Sequence, residues 1–178
     1  GLELARSSEG PLRVEGAYVL GYVQSQTSLE VLGALAGHDP FLPAALQAQK
    51  SLTYSPEPQA APILMELLDD PRPAVALCAV RALSHFPGES QAALAPRLTR
   101  LMACLTGDEL RAVLRNAGRL APAVPGITGL LASAADGPGA IGALEGLCRA
   151  GEVPEEVANR AMSSADPAAA ALGAEALL

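Results

Sequence analysis

Cys78 and His85 are the first pair to weigh, because a thiol and an imidazole on one helix face are the parts of a nucleophile and its base. They stand seven residues apart. At about 1.5 Å of rise per residue the two side chains are separated by roughly 10 Å along a helix axis, so one helix cannot make a dyad of them. An unreactive, semi-buried thiol and a His near a helix C-terminus, where the dipole favours it, fit the spacing better. Metal chemistry has less material still. His38 and His85 are the only histidines, no His-Glu pair is present, and Cys78, Cys104 and Cys148 are not at ligand spacing. The stretch "GPGAIGALEG" follows an apolar helical run rather than a strand and lacks the Lys-Ser/Thr ending of a phosphate loop. Close helix packing at Gly139, Gly142 and Gly146 is the expectation there. These residues imply no catalytic group, metal or cofactor.

The acids point to architecture. Asp39-Pro40, Asp70-Pro71 and Asp166-Pro167 repeat one signal, with variants at Asp136-Gly137-Pro138 and Gly107-Asp108. Asp before a helix accepts from free backbone N–H groups, and Pro in the first turn has no N–H to leave unpaired. Every Asp except Asp69 is therefore expected at or next to a helix start, as a cap, which leaves no acid over for a catalytic base. Asp39 and Asp70 are 31 residues apart, and Asp136 and Asp166 are 30 apart, so a period of about 30 is predicted.

Each signal introduces a motif ending in Leu: Leu20, Leu52, Leu83, Leu120, Leu147 and Leu177. Six positions earlier stand Val14, Leu46, Leu77, Leu114, Ile141 and Ala171. Four positions earlier stand Gly16, Ala48, Ala79, Asn116, Ala143 and Gly173. An apolar column beside a small one describes a helix face that a neighbour approaches closely. This is helix B of each repeat, expected to be two residues shorter in the fifth and sixth. Between B helices lie the runs "SLEVLGALAGH", "APILMELLDD", "LAPRLTRLMACL", "PGITGLLASAAD" and "PEEVANRAMSSAD", which predict A helices. Two helices per period of about 30 predict an all-α protein, a right-handed α-solenoid of about six helical hairpins in which no repeat buries its apolar face alone. Residues 1–178 are expected to form a single repeat domain, part of a longer protein.

Composition agrees. Half of the residues are apolar but only 3% are aromatic, which requires a core of Ala, Leu and Val between closely spaced helices. The net charge of −7 makes nucleic acid an unfavourable partner and gives no wholesale attraction to an anionic membrane. No run approaches the ~18 apolar residues of a membrane span. Three cysteines, an odd number, within apolar helical patterns predict reduced thiols and a cytoplasmic location.

"LLDDPRPAVALCAVRAL" resembles the short HEAT-like repeats of the phycobilin-lyase type, through Leu67, Leu68, Asp70, Val75, Ala79, Ala82 and Leu83. The likeness is close in the third repeat, fair in the second and fourth, and degenerate in the fifth and sixth. The resemblance implies the solenoid and a concave side lined by B helices. It is nearly silent on function, because such repeats serve scaffolds and enzymes alike. A HEAT-like enzyme subunit handling a chromophore, like the bilin lyases, or DNA, like the alkylation-repair glycosylases, is the alternative reading. Zero Trp, net acidity and no spare concave Asp stand against the glycosylase, and nothing decisive stands against the lyase.

If the terminal Leu faces inward, positions two before and two after it face outward. Two before stand Tyr18, Lys50, Arg81, Gly118, Glu145 and Glu175; two after stand Tyr22, Tyr54, His85, Pro122 and Arg149. Arg111, Arg115 and Arg119 add a stripe at i, i+4, i+8 in the fourth repeat. Acids such as Glu30, Glu57, Glu66, Glu89, Glu152, Glu155 and Glu156 fall on A helices or turns. Tyr and Arg are frequent interface anchors. The expectation is a non-catalytic scaffold that binds a protein or peptide, acidic in character, through Tyr18, Tyr22, Lys50, Tyr54, Arg81, His85, Arg111, Arg115, Arg119 and Arg149.

Overall fold

A computed structural model describes residues 1–23, 25–86, 93–124 and 126–177. Among the described residues it contains twelve α-helices, one 3-10 turn and no strand, which makes the chain all-α. The chain divides into two compact units, Gly1–Gln91 and Ala92–Leu178.

The first unit holds α1 (Leu2–Ala5), α2 (Gly10–Leu20), α3 (Gln26–His38), α4 (Leu42–Leu52), α5 (Glu57–Glu66) and α6 (Pro73–Leu83), with a 3-10 turn at Leu67–Asp69. Helices α2, α4 and α6, the expected B helices, pack side by side in one layer, and α1, α3 and α5 form a second layer against them. The second unit repeats the plan. Helices α8 (Gly107–Ala117), α10 (Ala140–Ala150) and α12 (Pro167–Glu175) lie in one layer; α9 (Ile127–Ala134) packs on α10 and α11 (Glu155–Met162) on α12, while α7 (Leu94–Cys104) packs against α9. Each expected A run contains a helix, though "APILMELLDD" ends in the 3-10 turn and "PEEVANRAMSSAD" is helical only to Met162. Of the run beginning at Pro125, that first residue lies outside the described residues.

The core is aliphatic, as the scarcity of rings requires. Leu20, Leu52, Leu83, Leu120 and Leu147 are buried, whereas Leu177 is exposed. The small column four residues earlier works as expected at both ends. A Cβ on Gly16 would lie 2.2 Å from the Ala5 nitrogen, and one on Gly173 would lie 2.7 Å from the Ala158 oxygen, so hairpin partners touch backbone to backbone. Ala48, Ala79 and Ala143 are wholly buried in the same column.

The Asp-Pro signal does something other than cap every helix. Asp39 Oδ1 accepts from the Phe41 N–H and Asp70 Oδ1 from the Arg72 N–H, each at 2.8 Å, but the helices then begin at Leu42 and Pro73. Asp70 is not the N-cap of α6; it folds the turn before it, because Pro71 and Pro73 delay helical geometry until after Arg72. Asp136 is no cap either. Its carboxylate pairs with Arg160 at 3.0 Å, and α10 starts four residues later. Only Asp166 caps in the expected sense, accepting from the Ala168 N–H at 2.8 Å. The turn itself recurs thirteen residues before the repeat Leu: Ser7 and Ser164 oxygens accept the N–H two residues on, each at 3.1 Å, in the column of Asp39 and Asp70. The fifth B helix is not shortened. It continues three residues past Leu147 to end on Gly151, whose φ of 72° supplies the left-handed stop.

Candidate functional site

In the first unit the B helices end alike. A single tightened turn follows each, with Tyr22 N–H donating to Val19, Tyr54 N–H to Ser51 and His85 N–H to Ala82, at 3.1–3.2 Å. This turn places Tyr22, Tyr54 and His85 at one end of successive B helices. Gly21 brings the first two together, because a Cβ there would lie 2.9 Å from Ser51 Cβ and only glycine lets the end of α2 sit against α4.

The result is a cluster of all three tyrosines in the chain. Tyr22 stacks on Tyr54 with centroids 6.0 Å apart and planes 15° apart, and meets Tyr18 edge-on at 5.3 Å and 74°. The Tyr22 hydroxyl donates to the Tyr18 hydroxyl at 3.1 Å, and this hydrogen bond pushes the Tyr22 phenol above its ordinary pKa. Yet Tyr18, Tyr22 and Tyr54 remain 48%, 66% and 52% exposed. Lys50 lies in the last turn of α4, four residues before Tyr54 in the turn that follows, and Arg81 and His85 stand in the corresponding places at the end of α6. All three are exposed. The structure joins the tyrosines by direct contact and leaves Lys50, Arg81 and His85 beside them along the layer.

The second unit carries the arginines. Two close approaches position them: a Cβ on Gly142 would lie 2.6 Å from Arg111 Cα, and one on Gly146 would lie 2.6 Å from the Leu114 oxygen. Helices α8 and α10 therefore touch backbone to backbone, as expected for these glycines. Across that seam Arg111 forms a two-pronged ion pair with Glu145. The Arg111 guanidinium, with weaker help from Arg115 and Arg149, holds the Glu145 carboxyl below the usual carboxylate range. Arg115 is half-buried, and its Nε is shut off from solvent with no acceptor among the described residues. Arg119 and Arg149 are exposed.

Two outward positions differ from expectation. Gly118 is buried, since α10 covers it so tightly that a Cβ would lie 2.0 Å from the Gly146 oxygen. Glu145 serves as the internal partner of Arg111, and the signal was available: it is an acid in the column that holds Lys50 and Arg81. Glu89 lies outside the described residues. No sequence signal pointed to Arg13 and Arg72, which bond Asp39 and Asp70.

Elsewhere, reactive groups are kept apart. Cys78 is half-buried; burial raises its thiol pKa, and its Sγ lies 4.0 Å from the Leu46 oxygen. No group of three or more metal-ligating side chains occurs among the described residues. A cavity of ≈ 340 Å³ in the second unit holds the Asp136–Arg160 pair, and one of ≈ 210 Å³ in the first is lined by His38, Glu66, Asp69 and Asp70. No described helix is long and apolar enough to cross a membrane.

The fold defines the class: an all-α protein of packed helical hairpins. Neither a family model nor a curated protein matches the chain. Solved structures do. One engineered protein of the Northeast Structural Genomics Consortium matches with a TM-score of 0.57 at 18% identity, over 99% of this chain and 93% of that one. A second engineered protein from the same consortium matches with a TM-score of 0.51 at 18% identity, over 99% of this chain, which spans 56% of its length. At such identities the likeness is one of fold alone.

Proposed function

We propose that this chain is a HEAT-like right-handed α-solenoid that acts as a non-catalytic scaffold, holding a protein or peptide partner on the face of its B helices. The observation that carries this reading is the exposed cluster of Tyr18, Tyr22 and Tyr54. Rings already fixed by their mutual contacts lose little rotamer freedom when a partner covers them, so more of the burial energy appears as affinity. Lys50 and Arg81 share the outward column of this unit, and no acid stands in it, which suits an acidic partner.

Affinity capture with the intact protein, followed by mass spectrometry, tests the reading. A partner retained by the native chain should be lost at least tenfold with the double variant Tyr22→Ser, Tyr54→Ser, and its capture should weaken as salt rises, since exposed charges are screened. Equal capture by the native and double-variant chains would end the proposal. A helical spectrum unchanged in the variant guards against loss by unfolding.

A further inference from the structure

The arginines of the second unit carry the scaffold reading further, and the site inferred from them rests on that reading. Helix α8 presents Arg111 and Arg115 one turn apart, with Arg119 a turn beyond, and α10 presents Glu145 and Arg149 one turn apart. Because Gly118, Gly142 and Gly146 press the two backbones together, these side chains form two adjoining rows. The first rung is satisfied, Arg111 against Glu145. One turn further along each row stand Arg115 and Arg149, both of which help hold the Glu145 carboxyl down, with Arg119 following. None of these three guanidiniums has a hydrogen-bonded acceptor among the described residues, and Arg115 Nε is withdrawn from water as well. The group that best satisfies an unpaired guanidinium is a carboxylate, which accepts two parallel N–H bonds, and the exposed Arg119 and Arg149 are open to one.

We propose that Arg115, Arg119 and Arg149 form a carboxylate-binding site for an Asp- or Glu-rich segment of the protein partner, in which Glu145 is the resident carboxylate that the incoming ones extend. The chemistry is already displayed on the first rung, where Arg111 holds a carboxylate through Nε and Nη2 together. An incoming Glu or Asp side chain continues the ladder, supplying the negative charge that the second rung lacks. Carboxylate rather than phosphate is favoured because the cluster is built around a carboxylate of its own, Glu145.

The test is a titration of the intact protein with a fluorescein-labelled deca-glutamate peptide, read by fluorescence anisotropy at low salt. Arg115→Gln with Arg119→Gln should weaken binding at least tenfold, and Arg149→Gln severalfold. Arg97→Gln with Arg100→Gln, which removes the same charge from α7, should change it less than twofold. Glu145→Gln should tighten binding severalfold by freeing Arg111, whereas Glu109→Gln, the same charge change elsewhere on α8, should not. If affinity follows net charge alone across these variants, the site does not exist. Tighter binding of inorganic polyphosphate or duplex DNA of equal charge would also overturn the proposal, in favour of a phosphate site. The scaffold reading fails separately, through partner capture by the tyrosine variants: loss of capture there with a flat glutamate titration removes this site and leaves the scaffold.

Discussion

Arg13 on α2 grips Asp39, just past the end of α3, through two parallel hydrogen bonds, Nε to Oδ2 at 2.7 Å and Nη2 to Oδ1 at 2.8 Å. The Asp39 carboxylate is buried, and it also closes its own turn on the Phe41 N–H. The third repeat reaches back to the same place: Arg72 donates to the carbonyl oxygens of Gly37 and Asp39, each at 2.8 Å, satisfying acceptors at the end of α3. One polar seam thus links three successive hairpins of the first unit.

That seam titrates. The Arg13 hydrogen bond lowers the Asp39 carboxyl and the Arg72 hydrogen bond lowers that of Asp70, both from an ordinary value of 3.8, against an opposing push from burial. A folded-state pKa below the unfolded one gives stability that is complete above the ordinary value and is lost as pH falls through the depressed one. Urea unfolding followed by circular dichroism should therefore show stability falling below pH 3.8. Asp39→Asn should be less stable at neutral pH and should flatten that fall. An unchanged pH slope would show that the pair does not report on folding.

Gln49 is wholly buried, and neither its Oε1 nor its Nε2 has a partner among the described residues. The same column holds Ala17, Val80, Ala117 and Leu144 in other repeats. Burying such an amide unpaired costs about 1–3 kcal/mol, so Gln49→Leu should stabilise the chain by an amount of that order. A lower denaturation midpoint for the variant would mean that the amide has found a partner after all.

Core and cap positions should separate cleanly. Leu83→Ala empties a fully buried site and should cost about 2–5 kcal/mol, whereas Asp166→Ala removes one capping bond and should cost about 1 kcal/mol. Comparable losses in denaturant titrations of the two variants would contradict the assignment of Leu83 to the core.

Thiol reactivity should follow burial. Cys104 is exposed, while burial raises the thiol pKa of both Cys78 and Cys148 and keeps them protonated. A maleimide at neutral pH should label Cys104 first, as peptide mapping would reveal. Faster labelling of Cys78 would place it outside the packed face of α6.

The helices are legible in the sequence because their signals are local. Aliphatic spacing marks α3, α6 and α8, and the Leu column finds the core at Leu52, Leu83, Leu120 and Leu147. The features that escape a reading of the sequence depend on contacts between repeats. The pattern around Asp70 is the same whether its oxygen caps a helix or folds the turn before one, and the choice falls to Pro73 and to Arg72, which bonds Asp70 and also two carbonyl oxygens more than thirty residues away. Tyr22 and Tyr54 are visible as outward residues, but their stacking depends on Gly21 admitting Ser51, a fact of packing that no column displays. Periodicity places Gly118 outward, yet it lies inward because Gly146 has no side chain to hold α10 away.

The backbone contact between α8 and α10 makes those two helices a ruler. Where side chains separate helices, a rotamer change lets the axes slide; where a carbonyl of one helix sits on the glycine of the other, there is no such play. The intervals between Arg111, Arg115, Glu145 and Arg149 are accordingly set by main-chain geometry. Repair of a lost contact by repacking is closed off along this seam, so Gly142→Ala, whose new methyl would lie 2.6 Å from Arg111 Cα, miscalibrates every charge on both rows at once.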